Sequence, residues 1–178
     1  MIILAFTSCN DGTLSDKGEL PFWLPSKDKI IQNASKSSIT LMGRKTYETL
    51  KHRELLPPTK KIVLTRQSNY KVPFDVNVFN NIKDLIHISL KKDILVIGGV
   101  SIIETLYPLA DKLMYFHIDK NLKGNVKTDL RPLDDDDFII KETSKFSTNN
   151  EYDFTFNIME RKRPLEDDKE EEILKEIK

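Results

Sequence analysis

The residues best placed to do chemistry follow a glycine. Ile39 to Leu50 reads ITLMGRKTYETL. Ile39-Thr40-Leu41-Met42 is a short apolar run of the kind that forms a buried strand. It stops at Gly43, and Arg44-Lys45-Thr46 opens a segment with helical spacing through Tyr47 and Leu50. A strand that turns through glycine into a helix start aims several backbone N–H groups and a positive dipole end at one point. With Arg44 and Lys45 beside it, that point is an anion site suited to a nucleotide phosphate. A second glycine turn, Ile97-Gly98-Gly99, stands in the same strand-to-helix context. Two such corners in one short chain imply a single extended ligand that carries phosphate.

The elements that must position these corners fit one domain. At 178 residues the chain is long enough to bury a real core. Lys+Arg and Asp+Glu balance at 28 each, so no overall charge argues for nucleic acid or an anionic membrane. No apolar run approaches the roughly 20 residues that span a bilayer. The N-terminal MIILAFTSCNDG lacks a basic leader and a small-residue cleavage site, and reads as a first strand. Cys9 is the single cysteine; it reads as a small structural thiol in a reducing, cytoplasmic setting.

Met1 to Ser8 is the first strand, and Asn10-Asp11-Gly12 begins a long loop that runs to Pro25. Loops of such length in compact domains are more often functional than idle. Phe22 and Trp23 within it are large apolar groups that should cover something. Ser26 is the expected N-cap of a short helix over Lys27 to Ala34, with Ile30 and Ile31 inward. Strands follow at Ile39–Met42, Lys60–Thr65 and Val76–Phe79, then a helix from about Ile82 to Leu90 capped by Asn80 or Asn81. Asp93 to Ile97 is a strand buried on both faces, turning at Gly98-Gly99 into a helix over Val100–Tyr107. Lys112–Ile118, Phe138–Glu142 and Tyr152–Met159 complete the strands. This order implies an α/β domain: a mostly parallel central sheet with an antiparallel edge and helices on both faces. The globular part ends at Arg161. Residues 162–178 form a charged tail, read as a helix that is solvated or meets a partner.

With these pieces placed, the chain resembles the dihydrofolate reductase family from Met1 to about Arg161. The specific segments are LPFWLP at 20–25, MGRKTYETL at 42–50, LPPTKKIVLTRQ at 56–67, VIGGVSIIETLYPLADKL at 96–113 and HID at 117–119. Each is weak alone; their order and spacing together are specific. The resemblance implies a dihydrofolate-reductase-like fold with an eight-stranded sheet, and NADPH as the donor in reducing 7,8-dihydrofolate to tetrahydrofolate. It also implies a loop over the nicotinamide, here Asn10–Leu24. By the same resemblance Arg44, Lys45 and Thr46 hold phosphates, Leu64 lies against the cofactor, and Thr65 and Arg66 grip the 2′-phosphate that separates NADP from NAD. A guanidinium beside a hydroxyl suits a phosphomonoester. Gly98 and Gly99 let the backbone approach the cofactor, Val100, Ser101 and Ile102 start the helix under its pyrophosphate, and Ile97 is a further implied cofactor contact. Ala5, Phe6, Asp28, Ile31, Leu50, Leu56, Ile97 and Phe116 are the implied substrate contacts. No metal is expected.

The substrate half departs from the family pattern. The family places one buried carboxylate at the start of its first helix, where it accepts two hydrogen bonds from the pterin amidine edge. Ungapped counting from Met42-Gly43-Arg44 puts Lys27 there and Asp28 one step on. Some members carry one more residue in the preceding loop, and on that basis Asp28 is read as the acid, against the alternative of a solvated helix-start charge. One residue of offset rotates a helical side chain by about 100°. The offset also brings Gln32, not Ile31, to the apolar wall. Thr59 stands in place of an arginine that binds the folate glutamate, leaving Lys60 or Lys61 as weaker substitutes; Phe116 replaces a threonine, and Ile103 a tyrosine. His117, a lone strand histidine, is assigned no chemistry. Asp11-Gly12-Thr13-Leu14-Ser15 resembles the N-terminal loop of riboflavin-pathway reductases, which share the fold and NADPH but not the pterin acid. Two alternatives therefore stand beside dihydrofolate reduction: a reductase of a riboflavin-pathway-type pyrimidine, and a non-catalytic binding protein that retains the fold. The expected protein is a monomer or homodimer without nucleic-acid or membrane partners.

Overall fold

The computed structural model describes residues 1–16, 24–147 and 152–176. The expectations for Phe22 and Trp23, and most of the LPFWLP segment, lie outside them. Among the described residues, ten strands and five α-helices follow in chain order: β1 (Ile2–Cys9), β2 (Thr13–Ser15), α1 (Pro25–Ser35), β3 (Ile39–Gly43), α2 (Arg44–His52), β4 (Lys61–Leu64), β5 (Val76–Phe79), α3 (Lys83–Ser89), β6 (Ile94–Val96), α4 (Val100–Leu106), β7 (Lys112–Ile118), β8 (Val126–Lys127), β9 (Phe138–Phe146), β10 (Phe154–Arg161) and α5 (Asp167–Glu176). Eight strands form one sheet in the order β5-β4-β3-β6-β1-β7-β10-β9. The six from β5 to β7 run parallel, while β10 pairs antiparallel with β7 and β9.

Side-chain alternation on these strands separates two faces. Leu4, Leu41, Ile62 and Val96 point to a core closed by Leu85 and Ile86 of α3 and by Ile102, Ile103 and Leu106 of α4. Their neighbours in sequence, Ala5 and Leu95, point the other way, to a core that receives Leu24 and Ile30, Ile31 and Ala34 of α1. Met42 and Val63 share that second side with Tyr47 and Leu50 of α2. Leu41, Val63, Leu95 and Val96 have no exposure at all. Each such side chain is worth about 1.5–3 kcal/mol of burial. Among the described residues no helix is long and apolar enough to cross a membrane.

Four local readings are revised. The first helix starts at Pro25 with Leu24 at its N-cap, not at Ser26; proline's fixed φ and missing N–H suit the first helical position. The last two strands are longer or later than expected, Phe138–Phe146 and Phe154–Arg161, because their pairing continues past the apolar stretch. A second, two-stranded sheet joins β2 to β8, pinning residues of the first loop to a segment more than a hundred residues later. Finally, α5 is not free in solvent: Leu165 just before it and its Ile173 and Leu174 pack on the first of these cores, and α5 touches the 3₁₀ turn Tyr107–Leu109.

Candidate active site

The parallel strands change direction of travel between β6 and β1. The chain moves outward from β1 through β3, β4 and β5, then returns to β6 and crosses to β7. Crevices at the carboxyl ends of strands flanking such a switch point bind ligands. A cavity of about 900 Å³ opens there, lined by the ends of β1 and β6, by α1 and α2, and by the first turn of α4.

One end of the cavity is made by the two glycine corners, which meet. The Gly43 amide donates to the Gly98 carbonyl at 3.0 Å. Gly98 and Gly99 have φ of +147° and +79°, a region that side chains resist. A Cβ on Gly98 would lie 3.2 Å from Thr46 Cγ2 and Oγ1. Lys45, Thr46, Gly98, Gly99, Val100 and Ser101 line this end. Bare backbone, a cation, a hydroxyl and two helix starts fit a dinucleotide pyrophosphate. Arg44 is turned elsewhere: its Nη1 donates to both carboxylate oxygens of Glu48 at 2.9 Å, and it does not line the cavity. Ile102 packs into the core below.

Leu64, Thr65 and Arg66 lie off the cavity, at and beyond the end of β4. Their turn is tightly held. The Thr65 amide donates to Phe79 O, Asn80 Nδ2 donates to Thr65 O at 2.7 Å, and Gln67 N donates to Thr65 Oγ1. Arg66 projects into solvent from it.

The other end is formed by α1 and the far end of α2. Ala5, Phe6, Asp28, Ile31, Leu50 and Ile97 line the cavity. Leu56 and Phe116 do not, and the substrate contact expected of each is corrected. Phe116 is fully buried on the α1 side of the sheet, stacked on Phe156 with ring centroids 4.7 Å apart. Leu56 packs on the Met42–Tyr47 cluster instead. Both Ile31 and Gln32 reach the cavity.

Several lining residues had no role in the sequence reading. Lys27 is the most consequential. It lines the cavity in the first turn of α1, is only 8% exposed, and its Nζ lies 4.0 Å from Asp28 Oδ1. Burial pulls its proton affinity down, Asp28 opposes this, and Arg53, also on the cavity, adds to it. The ungapped count pointed at this residue; what it could not show is that neighbouring helical positions both reach one broad cavity. Thr7 is another: its Oγ1 is buried, has no hydrogen-bond partner among the described residues, and belongs to a residue on the cavity wall. A hydroxyl interrupting the apolar first strand was its only sequence signal. Leu14 and Ser15 of β2, with Asn125 and Val126, close the mouth from the second sheet. His117 lies in a buried chain with Tyr115 and Ser8, Tyr115 Oη standing 3.0 Å from His117 Nδ1 and 2.8 Å from Ser8 Oγ; burial lowers its pKa.

Comparison with known proteins agrees with this geometry. A family profile described as dihydrofolate reductase matches residues 1–161. The dihydrofolate reductase of Enterococcus faecium is 31% identical over 70% of this chain and 75% of its own length. That of Bacillus subtilis is 26% identical over 91% of this chain and 95% of its own. A solved structure of dihydrofolate reductase from Enterococcus faecalis, complexed with NADP(H) and RAB-propyl, superposes with a TM-score of 0.78 at 21% identity, covering 92% of this chain and 97% of that one. The chain belongs to the dihydrofolate reductase family.

Proposed function

We propose that this cavity reduces 7,8-dihydrofolate to tetrahydrofolate with NADPH, the reaction of its family, and that Asp28 is the carboxylate that holds the pterin. The observation that carries the reading is the joining of two chemically distinct ends in one cavity at the sheet's switch point. NADPH, when bound, supplies the hydride. Lys45, Thr46 and the bare backbone at Gly98 and Gly99 would hold its pyrophosphate, and Thr65 with Arg66 its 2′-phosphate. Arg44 would reach a phosphate by leaving Glu48. Asp28 Oδ1 and Oδ2 would accept the two amidine hydrogens of the pterin, a pairing that strengthens where water is excluded. Phe6, Ile31, Leu50 and Ile97 exclude water from the ring, and the proton for N5 comes ultimately from solvent.

The reading also places the chain in the cytoplasm as a monomer or homodimer without nucleic acid. Its balanced charge supports the absence of nucleic acid, and its single, buried cysteine fits a reducing compartment. NADPH consumption should depend on added dihydrofolate. Tight NADPH binding with no turnover on dihydrofolate would defeat the catalytic reading and favour a binding protein.

A further inference from the structure

The α1 end of the cavity carries more positive charge than negative. Among the described residues, its ionisable side chains are Lys27, Asp28 and Arg53, two cations and one acid. Glu48, farther along α2, already receives the Arg44 fork and the Tyr70 hydroxyl. Lys27 is 8% exposed, and its Nζ stands 4.0 Å from Asp28 Oδ1. The charge of Arg53 is also felt at Lys27. Burying an ammonium is costly, and a carboxylate alone is enough to hold a ring edge with two hydrogens. The cation beside it is there to read what the acid does not.

A carboxylate only accepts hydrogen bonds and an ammonium only donates them. Side by side they suit a ring edge on which hydrogens stand next to an oxygen. The dihydropterin edge has that order: the exocyclic amino group, the ring N3–H, then the C4 carbonyl. With the first two on Asp28, one flank of the carboxylate faces the carbonyl and the other faces the remaining amino hydrogen. A donor 4.0 Å from Oδ1 is opposed at the second flank. At the first it is paired, within reach of a hydrogen bond of ordinary length. We propose that Lys27 is a specificity-determining residue: it donates to the C4 carbonyl of the ring that Asp28 holds, so the cavity takes a 2-amino-4-oxo ring and rejects the 2,4-diamino analogue. The proposal rests on the dihydrofolate reading and deepens it. Replacing that oxygen by an amino group sets donor against donor. The diamino ring is also the stronger base, and its protonated form brings a third cation to Lys27 and Arg53. Lys27 binds and orients the ring, and no proton leaves it.

The test compares wild type with Lys27→Met, Lys27→Gln and Lys27→Arg. Calorimetry on the NADPH-saturated proteins reads the affinities for 2-amino-4-oxopteridine and for 2,4-diaminopteridine, and retained NADPH binding shows that each variant folds. Wild type should prefer the oxo ring. Lys27→Met should bind the diamino ring about tenfold more tightly than wild type and the oxo ring about fivefold more weakly. Its KM for dihydrofolate should rise with the loss of oxo-ring affinity, while kcat moves less. Lys27→Gln, which can turn a donor or an acceptor to the ring, should lose the preference as well. Lys27→Arg keeps a donor cation and should stay close to wild type. An unchanged ratio of the two affinities in Lys27→Met and Lys27→Gln would overturn the proposal, even if both affinities fell together. That result would leave dihydrofolate reduction standing. A wild type that binds NADPH but never turns over dihydrofolate would bring down the reduction reading itself.

Discussion

The two ends of the cavity are held by different means. The glycine end is backbone: two corners joined by an amide–carbonyl bond, two residues at φ that side chains avoid, and helix starts facing inward. The α1 end is side chain: a buried lysine, a carboxylate 4.0 Å away, a nearby arginine and an unpartnered threonine hydroxyl. Backbone geometry survives many substitutions, so the first end keeps its family pattern. Side-chain chemistry can change with one codon, and the second end departs from the pattern at Lys27. Fold and cofactor recognition are therefore the stable part of this molecule, and substrate chemistry the tunable part.

The largest expected effect that would break this contrast is at the α1 end. Asp28→Asn should lower kcat/KM for dihydrofolate by about 10²–10³-fold while leaving NADPH affinity intact. Steady-state kinetics beside a fluorescence titration would check it; survival of activity would remove Asp28 from the chemistry. Next, Arg66→Ala should weaken NADPH by about tenfold or more and NADH hardly at all, since only the former carries the phosphate that a guanidinium grips. Equal losses for the two would place the 2′-phosphate elsewhere. Gly99→Ala probes the backbone end directly. A side chain at φ +79° costs about 1–2 kcal/mol, to be seen as a lower thermal midpoint together with weaker NADPH binding.

The smallest effect is one of sign. Burial lowers the proton affinity of Lys27, so the unfolded chain holds that proton more tightly than the folded one. Stability should rise with pH between the lowered value and 10.5, and below that window the buried charge is a standing cost. Lys27→Met should accordingly raise the thermal midpoint at neutral pH, with the gain shrinking as pH climbs toward 10.5. A fall in the midpoint at neutral pH would mean that the Asp28 pairing outweighs desolvation.

Much of the sheet was legible because its strands are buried on both faces and read as unbroken apolar runs, as at Ile94-Leu95-Val96. The glycine corners were legible because only glycine suits them. The β2–β8 sheet was not: two or three residues have no periodicity, and their partner is distant in sequence. The α1 end was half legible. Counting could offer Lys27 or Asp28, but only the packed cavity shows that both reach it. Phe116 misled because its position on β7 is next to the region and on the α1 side, while its ring is fully buried against Phe156 of β10 instead of lining the cavity.

The docked α5 has its own consequence. A ten-residue segment dense in Asp, Glu and Lys would scarcely hold helical form alone in water. Its order is borrowed through Leu165, Ile173 and Leu174 from the layer beneath. A spectroscopic label at the solvent-facing Lys175 would thus serve as a built-in gauge of the core on which α5 packs.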